Sequence, residues 1–239
     1  MAKPPSRSQK SSPPLPRRSA ATARTLSRFY DDLLAHFGSQ HWWPGETPLE
    51  IAVGAILTQN TNWSNVEKAI ARLRGAGALD WAVLRDLPEG RLADLIRPAG
   101  YYNVKSRRLK HFVEWLWTHH GGDLDALRRR PLGELRADLL AIHGIGPETA
   151  DSILLYALGF PTFVVDAYTR RLLGRHGLLP GDGDYEAVKS LFETHIPPDV
   201  AVYNEYHALI VATAKAHCRT RARCEGCPLE WHPHETLNV

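Results

Sequence analysis

Apolar residues recur at spacings of three and four along nearly the whole chain beyond residue 24, and that period limits the architecture more than any other feature. Leu26, Phe29, Tyr30, Leu33, Leu34 and Phe37 form one such stripe, and Gly38 closes it. The run from Pro48 to Leu57 is almost wholly apolar and predicts a buried helix. Further helices are expected over residues 62–73, 81–86, 89–96, 104–117, 132–140, 148–158, 166–176, 184–195 and 200–215. Thr162 to Val165 is the one β-branched cluster, and it is short. An all-α fold without an internal repeat is expected.

Residues 1–24 stand apart. They hold five Pro and five Ser, six Lys or Arg, no acid and no Phe, Tyr, Trp, Ile or Val. Such a segment buries too little to offset its ordering entropy, so a disordered basic tail is expected. It adds attraction for a polyanion or serves as a solubilising leader. The whole chain carries +3 and the tail +6, which leaves −3 for residues 25–239. Any nucleic-acid surface is therefore a local patch. No apolar run reaches the roughly 18–20 residues of a membrane helix, and the N-terminus lacks the apolar stretch of a secretory signal. Three cysteines, Cys218, Cys224 and Cys227, crowd into ten residues. That cluster suits a metal or cluster site better than disulfides, in a reducing intracellular setting.

The sharpest local signal is Leu139-Leu140-Ala141-Ile142-His143-Gly144-Ile145-Gly146-Pro147-Glu148-Thr149-Ala150. An apolar helix ends, a Gly-Ile-Gly turn follows, and Pro147 opens the next helix, where a missing N–H costs nothing. Two glycines permit unusual backbone angles and close approach, and the free N–H groups at a helix start attract anions. A plain helix-joining turn has the same spacing. Downstream, Asp166 follows Gly159-Phe160-Pro161-Thr162-Phe163-Val164-Val165 and opens a helix, as an ordinary N-cap does.

Together these two segments resemble the helix-hairpin-helix and Gly/Pro-Asp signature of the endonuclease III-like DNA glycosylases. Ile56-Leu57-Thr58-Gln59-Asn60-Thr61 and Gly100-Tyr101-Tyr102-Asn103-Val104-Lys105 are similar to two further family segments, in family order. The resemblance implies a two-lobed fold. Residues 45–159 would form a six-helix barrel, and residues 25–44 with 160–239 a second lobe. Double-stranded DNA would lie across the cleft, bound by a monomeric cytoplasmic, nucleoid-associated enzyme, with the damaged base flipped out. Asp166 would be the catalytic carboxylate, stabilising positive charge on the sugar. Gln59 would enter the base stack. Gly144, Gly146, Thr149, Lys105, Arg219 and Arg221 would contact DNA.

Three departures sharpen the reading. Glu148 stands where bifunctional members carry a lysine, and a carboxylate forms no Schiff base, so a monofunctional glycosylase is expected. Trp42, Trp43, Pro44 and Trp63, with Glu148, resemble the base pocket of the 3-methyladenine glycosylase branch. Electron-rich rings attract a cationic alkylated purine, although Trp-Trp-Pro beside an apolar helix also reads as a packing corner. Oxidised or mismatched pyrimidines are the alternative substrates, and a non-catalytic DNA-binding module the alternative class. The family places a fourth cysteine about six residues after Cys227, where Pro233 now stands. His232 and His234 flank it. A [4Fe–4S] cluster with an unusual fourth ligand, a Cys3His zinc site and a metal-free remnant all remain open.

Overall fold

The structure, a computed structural model, describes residues 19–43, 45–180 and 183–236. Among them are eleven α-helices and no strand. In chain order they are α1 (Ala20–Phe37), α2 (Pro48–Leu57), α3 (Trp63–Gly75), α4 (Trp81–Asp86), α5 (Glu89–Leu95), α6 (Tyr102–His120), α7 (Leu132–Ala141), α8 (Pro147–Ser152), α9 (Ala167–Arg175), α10 (Tyr185–His195) and α11 (Val200–Ala216). None is long and apolar enough to cross a membrane.

Side-chain caps explain most of the starts. Thr47 accepts from Glu50 N ahead of Pro48, Asn62 from Asn65 N, Asp80 from Ala82 N and Val83 N, and Asp199 from Val202 N. Each such cap is worth about 1 kcal/mol. Helix α1 begins five residues earlier than its apolar stripe predicts. Ser19 caps it, and Ala20, Ala21 and Ala23 extend it by propensity alone, without burial. Residues 20–24 of the expected tail are therefore helical, and residues 1–18 lie outside the described residues.

Two hydrophobic cores organise the helices. The first gathers side chains from Ala52 to Leu158, including Leu57, Phe112 and Leu139. The second joins α1, through Leu26, Phe29 and Leu33, to residues 155–229. The chain passes between the cores just after the hairpin. There α8 runs on into a π-helical turn, Ile153–Ala157, in which Leu158 N donates to Ile153 O. Single π turns cluster at functional sites. Here Ile153 and Leu154 stay in the first core while Leu155 and Tyr156 enter the second. The Thr162–Val165 segment is extended without sheet partners and delivers Asp166 to the head of α9.

Candidate active site

A cleft of about 890 Å³ opens between the cores, lined by Trp42, Trp43, Trp63, Glu148, Asp166 and His207, with Gln59, Gly144 and Gly146 at one side. Asp166 is both an N-cap and a cleft residue. Its Oδ1 accepts from Thr169 N at 2.7 Å and Thr169 Oγ1 at 2.9 Å, while Oδ2 lies 3.5 Å from His207 Nε2. Burial pushes the Asp166 carboxyl up, but His207 and the Thr169 bonds outweigh it and hold the group below its ordinary value. It is thus a buried carboxylate kept ionised. Glu148 stands nearby at the start of α8, and desolvation together with Asp166 pushes its carboxyl up. Two carboxyls in one cleft are driven in opposite directions.

The aromatic residues form one continuous group. Trp43 stacks on Tyr156, with ring centroids 4.9 Å apart at 28°, and meets Trp63 edge-on at 4.9 Å. Trp42 meets Trp43 edge-on at 5.4 Å. Gly54 of α2 makes room for this, since a Cβ there would stand 3.3 Å from Trp63 and 3.5 Å from Trp43 Nε1. Pro44, expected with these rings, lies outside the described residues. The same rings pack against the cores and line the cleft.

The hairpin is wired to the cleft through Gln59. Its Nε2 donates to Gly144 O at 3.1 Å and to Thr149 Oγ1 at 2.9 Å, and its Oε1 accepts from Arg108. Gly144 has φ +93, and a Cβ there would lie 2.3 Å from Arg108 Cγ. A Gly144→Val chain meets both a backbone rarely open to branched residues and the Arg108 stem, so a loss of about 1–3 kcal/mol is expected. Thermal unfolding checks that figure. A duplex-binding titration should show weaker affinity, because Gln59 loses its anchor.

Lys105 corrects the sequence reading. Its side chain is buried, not offered to phosphate: Nζ donates to Leu57 O at 2.8 Å and Ala99 O at 2.7 Å. It closes the end of α2, whose last carbonyls lack intrahelical donors. Burial, with Arg108 adding to it, lowers this ammonium to about 8. Arg219 and Arg221 are exposed but lie outside the cleft lining, where Arg170 and Lys215 appear instead. His207 and Tyr156 are the functional candidates that no motif pointed to. Tyr156 OH and His207 Nδ1 are 2.7 Å apart.

The cysteines line a cavity of only about 20 Å³, room for one or two waters. Arg175, a buried cation, enters there. Its Nη1 reaches Cys218 Sγ at 3.2 Å and Arg219 O at 2.6 Å, and its Nη2 reaches Thr220 O at 2.8 Å. His176 packs against His232 and His234 at the same end. Among the described residues no group of three or more His, Cys, Asp or Glu is arranged to hold a metal ion. With three thiols, no fourth cysteine and a guanidinium at Cys218, these residues do not fit a [4Fe–4S] cluster.

Comparison with known proteins follows the same lines. Residues 53–198 match the family described as HhH-GPD superfamily base excision DNA repair protein. MJ1434 of Methanocaldococcus jannaschii, assigned as a DNA repair glycosylase, is 46% identical over 206 residues, 86% of this chain and 94% of that one. Endonuclease III of Escherichia coli is 27% identical over 185 residues, 77% of this chain and 82% of that one. Among solved structures, H. pylori 3-methyladenine DNA glycosylase (MagIII) bound to 1,N6-ethenoadenine superposes with a TM-score of 0.70 at 26% identity, covering 81% of this chain and 97% of that chain. A trapped endonuclease III–DNA covalent intermediate gives 0.74 at 22% identity, covering 87% and 93%, a likeness of fold.

Proposed function

Because the chain belongs to the HhH-GPD superfamily of base excision DNA repair proteins, we propose that it is a monofunctional DNA N-glycosylase for alkylated purines, of which 3-methyladenine is the type. One observation carries the proposal: an ionised, largely buried Asp166 at an aromatic cleft that the hairpin helix lines with a carboxyl, Glu148, and not an amine.

The chemistry follows from that arrangement. The flipped base enters the cleft and its N-glycosidic bond breaks, the electron pair leaving with the base. Positive charge grows on the deoxyribose, and Asp166 stabilises it across a poorly screened gap. Water then adds to the sugar carbon and yields an intact abasic site. An N-alkylated purine is cationic, so the faces of Trp42, Trp43 and Trp63 attract it, and it leaves without strong general-acid help. The MagIII likeness supports this substrate class. The Gly144–Gly146 hairpin, Gln59, Arg170 and Lys215 supply phosphate and duplex contacts in this reading, with Arg219 and Arg221 at the periphery. The enzyme acts as a monomer on chromosomal DNA, and Arg175 holds the cysteine loop in place of a cluster.

A second reading has its own support. Thr58 Oγ1 and Trp43 Nε1 are buried without hydrogen-bond partners at the cleft. Groups of this kind suit a neutral base rich in carbonyls, such as an oxidised pyrimidine. Mass analysis of bases freed from dimethyl sulfate-treated and permanganate-oxidised duplexes separates the two. The expected result is 3-methyladenine from the first, little from the second, and no covalent complex after borohydride. Pyrimidine release with a trapped complex overturns both the substrate class and the monofunctional assignment.

A further inference from the structure

Asp166 and His207 line the cleft, and Tyr156 meets His207 behind that lining; the three come from separate segments, the head of α9, the middle of α11 and the π turn. The Tyr156 hydroxyl is 2.7 Å from His207 Nδ1, and His207 Nε2 is 3.5 Å from Asp166 Oδ2. The His207 and Asp166 side chains are only 6% and 14% exposed. His207 Nε2 is buried and makes no hydrogen bond.

We propose that His207 is a positioning residue for Asp166: a neutral imidazole, held by Tyr156 with its hydrogen on Nε2, that aims the free carboxylate oxygen at the sugar and leaves its charge intact. The inference rests on the glycosylase reading above. The tautomer follows from the neighbours. A carboxylate opposite Nε2 demands a hydrogen there, so Nδ1 accepts and the Tyr156 hydroxyl donates. Burial, then Asp166, push that phenol well above its ordinary value, so it keeps its hydrogen. Thr169 already fixes Oδ1 with two bonds, and His207 is the group that faces Oδ2. A 3.5 Å contact in the free enzyme is the kind that tightens when substrate binds.

Charge decides which form of His207 serves. The departing base leaves positive charge on the sugar, and an imidazolium beside Asp166 would cancel the field that stabilises it. The other charged groups facing this point are Glu148 on α8 and Arg170 on α9, which oppose one another, with Lys215 of α11 and the Tyr168 ring lining the cleft.

The test is single-turnover release of 3-methyladenine from dimethyl sulfate-treated duplex, with pH profiles, for the wild type and four variants. His207→Leu should slow release roughly 10–100-fold, the loss expected for one hydrogen bond to a charged group. Its duplex affinity should hold, while its melting temperature should fall modestly because the buried Tyr156 hydroxyl loses its partner. His207→Gln keeps an N–H donor near Nε2, so it should recover most of the rate. Tyr156→Phe should fall between. Release by His207→Leu within twofold of wild type overturns the proposal, as does a Gln variant as slow as Leu. Asp166→Asn is the reference. Release that depends on Asp166 but not on His207 sinks this inference alone, whereas no 3-methyladenine release by the wild type sinks the alkylated-purine reading and this inference with it.

Discussion

Asp166→Asn should slow single-turnover base release by roughly 10²–10⁴-fold, the span that a positioned carboxylate contributes to a charge-developing step. The substitution is nearly isosteric. An amide oxygen in place of Oδ1 still accepts from Thr169 N and Thr169 Oγ1, so the α9 cap survives and the melting temperature should move little. What disappears is the negative charge at Oδ2, which faces His207 and the cleft. Duplex affinity should hold or rise, because one fewer anion opposes the phosphate backbone. In wild type the Asp166 carboxyl lies below its ordinary value, so it stays ionised until well into acid. Its charge is lost only as pH falls through that depressed value, and any activity loss nearer neutrality belongs to another group. Unchanged release in Asp166→Asn, measured by mass analysis of free base, would move the chemistry elsewhere, with Glu148 the next carboxyl in the cleft.

Much of this was legible in the sequence because local physics dictates it. The three-and-four period placed every long helix, and Gly-Ile-Gly-Pro marked the hairpin. Asp166 read as a helix N-cap from its position after an apolar run, and only the family resemblance marked it as a candidate catalytic carboxylate. The missed features depend on contacts between distant segments. His207 sits in an apolar stretch of α11 and reads as an ordinary core residue; only folding brings it against Asp166, 41 residues earlier, and Tyr156, 51 residues earlier. Lys105 was expected to contact DNA because it closes a segment similar to one of the family's. The first turn of α6 points it inward to the carbonyls of Leu57 and Ala99. The α-to-π change at Ile153 has no sequence signal, yet it accompanies the handover of Leu155 and Tyr156 to the second core. No motif singled out Arg175, which is buried and clasps the cysteine loop.

The largest stability effect is expected at Asp151, a fully buried carboxylate with four donors. Arg136 donates to it twice, from Nε at 2.8 Å and from Nη2 at 3.0 Å. The Tyr185 hydroxyl donates at 2.9 Å and Thr162 Oγ1 at 3.2 Å. These bonds tie α7, α8, α10 and the segment leading to Asp166 at one point. Asp151→Leu leaves the Arg136 guanidinium short of its buried partner and the Tyr185 hydroxyl without an acceptor, while Thr162 Oγ1 can turn to Glu193 at 3.3 Å. Breaking a buried pair in this way costs about 3–5 kcal/mol, or roughly 6–20 °C in Tm for a chain of this size. Arg136 keeps Glu186 at 2.6 Å, which holds the loss toward the lower end. Replacing both partners, Asp151→Leu with Arg136→Met, removes the orphaned charge and should recover most of the lost Tm. Catalysis should not recover with it. Val165 N donates to Tyr185 OH at 3.4 Å, and Tyr185 is itself oriented by Asp151. In the double variant that orientation is gone, and the residue next to Asp166 loses its tether. The expected pattern is therefore a stable double variant whose base release stays slow. A single variant that melts within about 1 °C of wild type would show that the network stores little stability. A double variant with full activity would show that Asp166 is placed by its own cap and by His207, without help from the Asp151–Tyr185–Val165 chain.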